Sequence, residues 1–113
     1  MAELDRSNPA PLDISVHQGS SGPTVVVRGE LDIGNADELE GVLDDVVGRR
    51  PDAALRLELS GLKFMDSSGI ALLLRTAGRV RELSLVKPSA AVRRLLEITG
   101  LTDVLRVEQA RDQ

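Results

Sequence analysis

Short segments with a period of two alternate along this chain with longer segments that have the period of a helix, and this alternation limits the folds available to it. Residues 12–16 and 55–59 place an apolar side chain at every second position, which is typical of strands with one buried face. Residues 24–28 are a valine-rich run, which indicates a central strand. Residues 83–86 and 104–107 complete the predicted strands.

Three helices are predicted, and they begin near Asn35, Ser67 and Ser89. Asn35 is followed three residues later by Glu38, which is the spacing of a capping box. The apolar residues expected to face the sheet are Ala36, Leu39, Leu43, Val46 and Val47, then Ile70, Leu73, Leu74 and Ala77, then Val92, Leu95, Leu96 and Thr99. On the opposite face of the second helix Leu72 lies among arginines, so we expect it to be exposed.

The predicted element order is β-β-α-β-α-β-α-β, which describes one α/β domain with a mixed, mostly parallel sheet of about four to five strands. The first two strands are joined by a short turn at 18–23 and should form an antiparallel hairpin. Helical crossovers between the later strands make those pairs parallel. Since the alternating strands have one polar face, we expect the helices mainly on one face of the sheet.

The domain is predicted to span residues 12–107. Residues 1–11 contain two prolines among mixed polar residues and are predicted to be a flexible arm, and residues 108–113 are predicted to be a polar, frayed tail. No apolar run approaches the ~20 residues of a membrane span, and the first residues lack the apolar stretch of a signal peptide. We therefore expect a cytoplasmic protein with no membrane partner.

Charge and aromatic content argue against direct nucleic-acid binding. The net charge is -4, and Phe64 is the one aromatic residue of the 113, so no base-stacking surface is available. Phe64 itself is predicted to fill the core. With no cysteine and one histidine, His17, a metal site is not expected.

The sequence also lacks the constellations of an enzyme. No G-x-S-x-G elbow, phosphate-binding loop or dinucleotide fingerprint follows any predicted strand. His17 lies on the polar face of the first strand and is a poor base for a distant serine. We therefore expect a protein that is not an enzyme, with no catalytic residues and no cofactor.

One motif, Phe64-Met65-Asp66-Ser67-Ser68-Gly69, stands between a predicted strand and the second helix. A serine at such a junction can simply cap the helix. The same position suits a phosphoryl acceptor, because the free amides and dipole of a helix N-terminus stabilise added negative charge. A phosphoserine carries about -1.5 to -2 charges at neutral pH, and Asp66 beside it would oppose that charge.

Residues 57–70, which include this motif, resemble the signature of the STAS domain family, specifically its anti-sigma factor antagonists. Three further segments agree in order and spacing: Arg28-Gly29-Glu30-Leu31-Asp32 with the turn after the second strand, 87–96 with the start of the third helix, and 98–101 with the turn that follows it. Together they cover the chain from about the first strand to Val107. The family often has threonine where this chain has Asn35, and either residue caps a helix.

The resemblance implies a function. Members bind an anti-sigma factor, which is also an ATP-dependent serine kinase, and thereby release a sigma factor. The kinase phosphorylates the first serine of D-S-S-G, which is Ser67 here, and a serine phosphatase of the metal-dependent class reverses this. The predicted topology suggests where a partner binds: the loop at 32–35 and this motif each follow the end of a strand, and parallel neighbours would place both at one edge of the sheet. The partner-binding residues expected there are Asp32, Ile33, Asn35, Asp66, Ser67, Ser68, Gly69 and Leu72.

Two other uses of the same fold remain open from the sequence. The chain could serve as a STAS module in a stress-sensing assembly, or as an accessory subunit of a lipid transporter. The intact D-S-S-G favours the phosphorylation-switched antagonist.

Overall fold

The computed structural model describes residues 12–108, and within them six strands form one sheet with three α-helices and a short 3-10 helix. The strands are β1 (Asp13–Gly19), β2 (Gly22–Leu31), β3 (Ala54–Glu58), β4 (Leu62–Met65), β5 (Glu82–Val86) and β6 (Arg106–Glu108). The helices are α1 (Ala36–Arg49), α2 (Ser67–Ala77) and α3 (Ala90–Ile98), and the 3-10 helix is Leu101–Asp103. The predicted arm, 1–11, and residues 109–113 of the predicted tail lie outside the described residues.

The sheet is mixed and mostly parallel, as predicted. Its strand order is β1-β2-β3-β5-β6, with β4 paired to β2. Strands β1 and β2 form the predicted antiparallel hairpin, while the other pairs are parallel. The turn is shorter than expected because Gln18 already pairs with Pro23, which leaves only Ser20 and Ser21 outside the strands.

Strand β4 was not among the predicted strands, and it changes the element order to β-β-α-β-β-α-β-α-β. It pairs in parallel with the last residues of β2, whereas β3 pairs with Thr24–Val26. The change of partner occurs at Gly29, which has a φ of 107° and donates its N–H to the Gly61 carbonyl at 3.0 Å. Only glycine adopts such a φ readily, so this residue permits one strand to pair with two others in succession.

The helices pack on one face of the sheet, around an aliphatic core. Alternate strand residues fill that core, and one row of paired positions runs Val25, Leu57, Leu85 and Val107 across four strands. The inward residues of α1 are those predicted: Leu39, Leu43, Val46 and Val47 are buried, with Ala36 packed against them. In α3, Val92 and Leu96 are buried as predicted, but Thr99 is exposed.

The opposite face of the sheet is covered partly by charged side chains. Arg56 on β3 and Glu108 on β6 form an ion pair at 3.1 Å, although β5 lies between their strands. The pair therefore crosses β5, where Ser84 and Val86 are only 5% and 7% exposed. Long charged side chains can cover buried surface with their stems while their heads stay in water.

Helix α2 is rotated relative to the prediction. Leu72 and Thr76 are 2% exposed, whereas Leu74 is 43% exposed, so the expectations for Leu72 and Leu74 are both wrong. Thr76 is accommodated in the interior because its hydroxyl donates to the Leu72 carbonyl at 2.8 Å. A helix can thus bury a hydroxyl that its own backbone satisfies.

The last predicted strand also begins later than expected. Gly100, with a φ of 78°, ends α3, and Leu101 behind it is buried, as the sequence predicts. The chain then forms the 3-10 helix and reaches β6 only at Arg106. Val104, the expected start of the strand, is 67% exposed.

Candidate functional site

Asp66, not Ser67, caps helix α2. Its backbone is extended, and its Oδ1 accepts a hydrogen bond from the Ser68 N–H at 2.8 Å. The Asp66 carbonyl then accepts from the Gly69 and Ile70 amides at 3.0 and 3.2 Å. Ser67 is therefore the first residue of the helix, and the prediction that its hydroxyl is the cap is wrong. The Asp66 carboxylate is a stronger hydrogen-bond acceptor than the Ser67 hydroxyl, and it accepts the hydrogen bond from the Ser68 amide.

The loop that follows β2, residues 32–35, lies beside this helix start. The Asp32 N–H donates to Asn35 Oδ1, and the Gly34 N–H donates to Asp32 Oδ1, both at 2.9 Å. The Asn35 amide group also donates to the Glu30 carbonyl at 2.8 Å. These bonds fix the loop and leave Ile33 at its tip, where 81% of the residue is exposed.

Asn35 occupies the expected position at the start of α1 but not in the expected way. Its side chain makes no capping hydrogen bond, so no capping box forms with Glu38. Its Oδ1 accepts from the Asp32 amide instead. Asparagine at this position thus holds the loop rather than the first turn of the helix.

Asp66 joins the loop to the helix. While Oδ1 accepts from Ser68, its Oδ2 accepts from the Ile33 N–H at 3.3 Å. The Asp66 N–H in turn donates to the Leu31 carbonyl at 3.1 Å, at the end of the β2–β4 pair. The sequence prediction that the loop and the motif meet at one edge of the sheet is confirmed by these contacts.

Ser67 is exposed and Ser68 is half-buried. Within residues 12–108 neither hydroxyl makes a hydrogen bond to another residue, so both are chemically available. Exposure separates the two: a second protein can reach Ser67 more readily. Ser67 is also the first residue of α2, so its own N–H has no carbonyl acceptor within the helix.

Two of the expected partner-binding residues face the interior. Gly69 is buried, and a Cβ there would lie 2.3 Å from Met65 Cγ and 2.9 Å from Leu31 Cδ2. Leu72 lies in the core on the same side of α2. Both residues are buried and support the site from beneath, while Asp32, Ile33, Asn35, Asp66, Ser67 and Ser68 remain at or near the surface.

Phe64 is a further residue that the sequence interpretation placed wrongly, since it was expected to fill the core. It is 49% exposed, because Met65 beside it on β4 takes the inward position. Across the strand pair Phe64 lies opposite Glu30, two residues before Asp66. Burial along β4 does not alternate, because Leu62 and Met65 are buried while Lys63 and Phe64 are exposed. The period of a strand could therefore not have revealed the position of Phe64.

The described part of the chain offers no alternative chemical centre. Within residues 12–108, no three His, Asp or Glu side chains converge to form a metal site. His17 is exposed, and its ring nitrogen lies 3.4 Å from Ser15 Oγ on the same strand. Among those same residues, no helix is long and apolar enough to cross a membrane.

Comparisons with known proteins identify the family. The STAS domain model matches residues 13–113. An anti-sigma-B factor antagonist of Staphylococcus aureus is 34% identical over 94 residues, which is 78% of this chain and 84% of that protein. An anti-sigma F factor antagonist of Lysinibacillus sphaericus is 34% identical over 87 residues, or 69% of this chain and 72% of the relative.

The fold agrees with this result. The crystal structure of an anti-sigma factor antagonist from Mycobacterium paratuberculosis superposes with a TM-score of 0.82 at 28% identity, covering 91% of this chain and 92% of that one. The sheet and the three helices are thus accounted for together. This chain belongs to the STAS domain family, and the relatives that it matches are anti-sigma factor antagonists.

Proposed function

We propose that this chain is an anti-sigma factor antagonist whose binding is switched off by phosphorylation of Ser67. The observation that carries the proposal is the exposed Ser67 hydroxyl at the first residue of α2, beside a loop that presents Ile33. The partner class is supported by the 34% identical relative, which is named an anti-sigma-B factor antagonist. The chain acts in the cytoplasm as a binding protein and not as an enzyme.

The partner is an anti-sigma factor that is also an ATP-dependent serine kinase. In the phosphorylation step, Ser67 Oγ attacks the γ-phosphorus of ATP held by the kinase. ADP leaves, and the hydroxyl proton passes to a base of the kinase. A serine phosphatase of the metal-dependent class then directs water onto the phosphorus, which returns the hydroxyl and inorganic phosphate. The nucleotide and metal belong to these partners.

The binding surface consists of Asp32, Ile33, Asn35, Phe64, Asp66, Ser67 and Ser68. It combines two exposed apolar side chains with a hydrogen-bonded loop that is already ordered. Apolar side chains at the centre of an interface commonly provide most of its binding energy. Binding here occupies the anti-sigma factor, and the sigma factor is released.

A phosphoryl group on Ser67 opposes this contact for an electrostatic reason. It adds a charge of about -1.5 to -2 next to the Asp66 carboxylate, within one small surface. Burying a charge without a matching cation costs several kcal/mol, and each ~1.4 kcal/mol lowers affinity tenfold. Phosphorylation therefore dissociates the complex without unfolding the domain.

The test uses purified anti-sigma factor kinases from the source genome, each incubated with radiolabelled ATP and one of three chains. The wild-type chain and Ser68→Ala should incorporate phosphate, and Ser67→Ala should not. Ser67→Ala should still bind the kinase in titration calorimetry, while Ser67→Glu should fold and fail to bind. Because Asp66 is the cap, Ser67→Ala should change the free energy of unfolding by less than about 0.5 kcal/mol.

Peptide mapping after the reaction identifies the acceptor. Phosphate on Ser68, or full labelling of Ser67→Ala, would show that the acceptor is misassigned. If none of the kinases labels or binds the wild-type chain, the antagonist role itself is wrong. The two other STAS roles, in a stress-sensing assembly or with a lipid transporter, then become the leading explanations.

A further inference from the structure

The Asp66 carboxylate makes two hydrogen bonds to two different elements. Oδ1 accepts from the Ser68 amide at 2.8 Å, and Oδ2 accepts from the Ile33 amide at 3.3 Å. Within residues 12–108 the second of these is the one side-chain hydrogen bond that joins the start of α2 to the loop 32–35. The other side-chain bonds of that loop are made by Asp32 and Asn35 themselves.

The bond to Ile33 is the longer of the two, and it lies at the exposed surface. It is therefore the bond that an additional charge nearby would break first. A phosphoryl group on Ser67 would repel the Asp66 carboxylate and would also compete with it for the Ser68 amide. Both effects act on the residue that holds Ile33.

We propose that Asp66 is a positioning residue that transmits the charge state of Ser67 to Ile33. With Ser67 unmodified, the carboxylate fixes the Ile33 amide, and the exposed side chain is presented in one orientation. With Ser67 phosphorylated, the carboxylate moves and Ile33 loses that fixed orientation. This inference rests on the proposed function for its biological use, but the coupling itself is a property of the free chain.

The coupling adds a second contribution to the switch. Electrostatic repulsion acts at Ser67 itself, whereas the loss of the Ile33 hydrogen bond acts at the apolar part of the same surface. A loop side chain that has to be ordered on binding lowers affinity by roughly two- to tenfold. Phosphorylation thus weakens the apolar contact as well as the polar one.

The experiment needs no kinase, because phosphoserine can be incorporated at position 67 during translation. Amide hydrogen exchange and proton chemical shifts are measured by NMR on the free, full chain, with and without the phosphoryl group. In the phosphorylated chain the Ile33 amide should exchange several-fold faster, and its resonance should move upfield toward that of an unbonded amide. The Gly34 amide, which is bonded to Asp32 Oδ1, is the matched control and should remain unchanged.

Asp66→Asn separates the positioning role from a merely structural one. Asparagine caps helices about as well as aspartate, so α2 is retained. The substitution removes the like charge beside Ser67 and, because an amide nitrogen only donates, also removes the acceptor of the Ile33 amide. The response of Ile33 to phosphoserine should then shrink or disappear. An Ile33 amide that is identical with and without phosphate, or a full response that persists in Asp66→Asn, overturns the proposal. Because no kinase is involved, these results are distinct from a failure of Ser67 to be phosphorylated.

Discussion

Two exposed apolar residues, Ile33 and Phe64, are connected to Asp66. Ile33 is held through its amide by Asp66, and Phe64 precedes Asp66 by two residues. Ile33 keeps most of its solvent contact, at 81% exposure, and Phe64 keeps about half, at 49%. Burying such side chains against a partner contributes favourable free energy that the free protein does not yet have.

A charge at Ile33 should therefore interrupt binding. We expect Ile33→Glu to weaken binding of the anti-sigma factor at least about fivefold, since loss of a central apolar contact costs more than about 1 kcal/mol. The matched control is Ile98→Glu, because Ile98 is 71% exposed and is the last residue of α3, outside the proposed binding surface. Titration calorimetry measures both, and equal losses in the two variants would show that Ile33 is outside the interface.

At this scale the sequence predicts some side-chain positions well and others poorly. The exposure of Ile33 and Ser67 follows from their places just after a strand and at the start of a helix. Residues 70–74 of α2 are nearly all apolar, so periodicity does not determine which side faces inward. That was decided by Gly69, whose lack of a side chain allows α2 to pack closely on Met65 and Leu31 and turns Leu72 toward the core.

Helix α3 depends on one serine at its start. Ser89 Oγ accepts from the Val92 amide at 3.4 Å and donates to the Leu62 carbonyl of β4 at 2.6 Å. The capping role follows from the sequence, but the bond to Leu62 does not, because β4 has only four residues and lacks the alternation of a strand. Short elements of this kind become recognisable only through their partners in the sheet.

Removing the Ser89 hydroxyl should therefore destabilise the protein more than the loss of a helix cap alone. We expect Ser89→Ala to lower the free energy of unfolding by about 1–2 kcal/mol, because the helix loses its cap and a buried carbonyl loses its donor. The control is Ser60→Ala, since Ser60 is exposed and bonds only to the Glu58 carboxylate among the described residues. Urea denaturation should show a change of less than about 0.5 kcal/mol for that variant.

Across the whole molecule, the two faces of the sheet are covered by different means. The helices cover one face with leucines and valines, while the other is crossed by the ion pair of Arg56 with Glu108. The sequence correctly predicts which face is apolar, from the alternation in β3. It does not predict the crossing pair, because the two residues are 52 positions apart and meet only once β6 has added to the sheet edge.

The Arg56 side chain should stabilise the domain by the area it covers more than by its charge. Arg56→Met keeps an apolar stem over Ser84 and should lose less than about 0.5 kcal/mol, since half-exposed ion pairs contribute little. Arg56→Ala removes the stem and should lose about 1 kcal/mol. Thermal or urea denaturation compares them, and an equal loss in both variants would assign the effect to the charge.

Gly29, where β2 exchanges one neighbour for another, has a consequence for how relatives of this protein can diverge. The alignment of β2 with β4 sets both the distance from Ile33 to Ser67 and the choice of Met65 over Phe64 as the buried residue. A shift of the β2–β4 register by one position would bury Phe64 in place of Met65 and disturb the surface on which α2 packs. The side chains on this surface can therefore change from one relative to another, while the spacing between them is set by the fold.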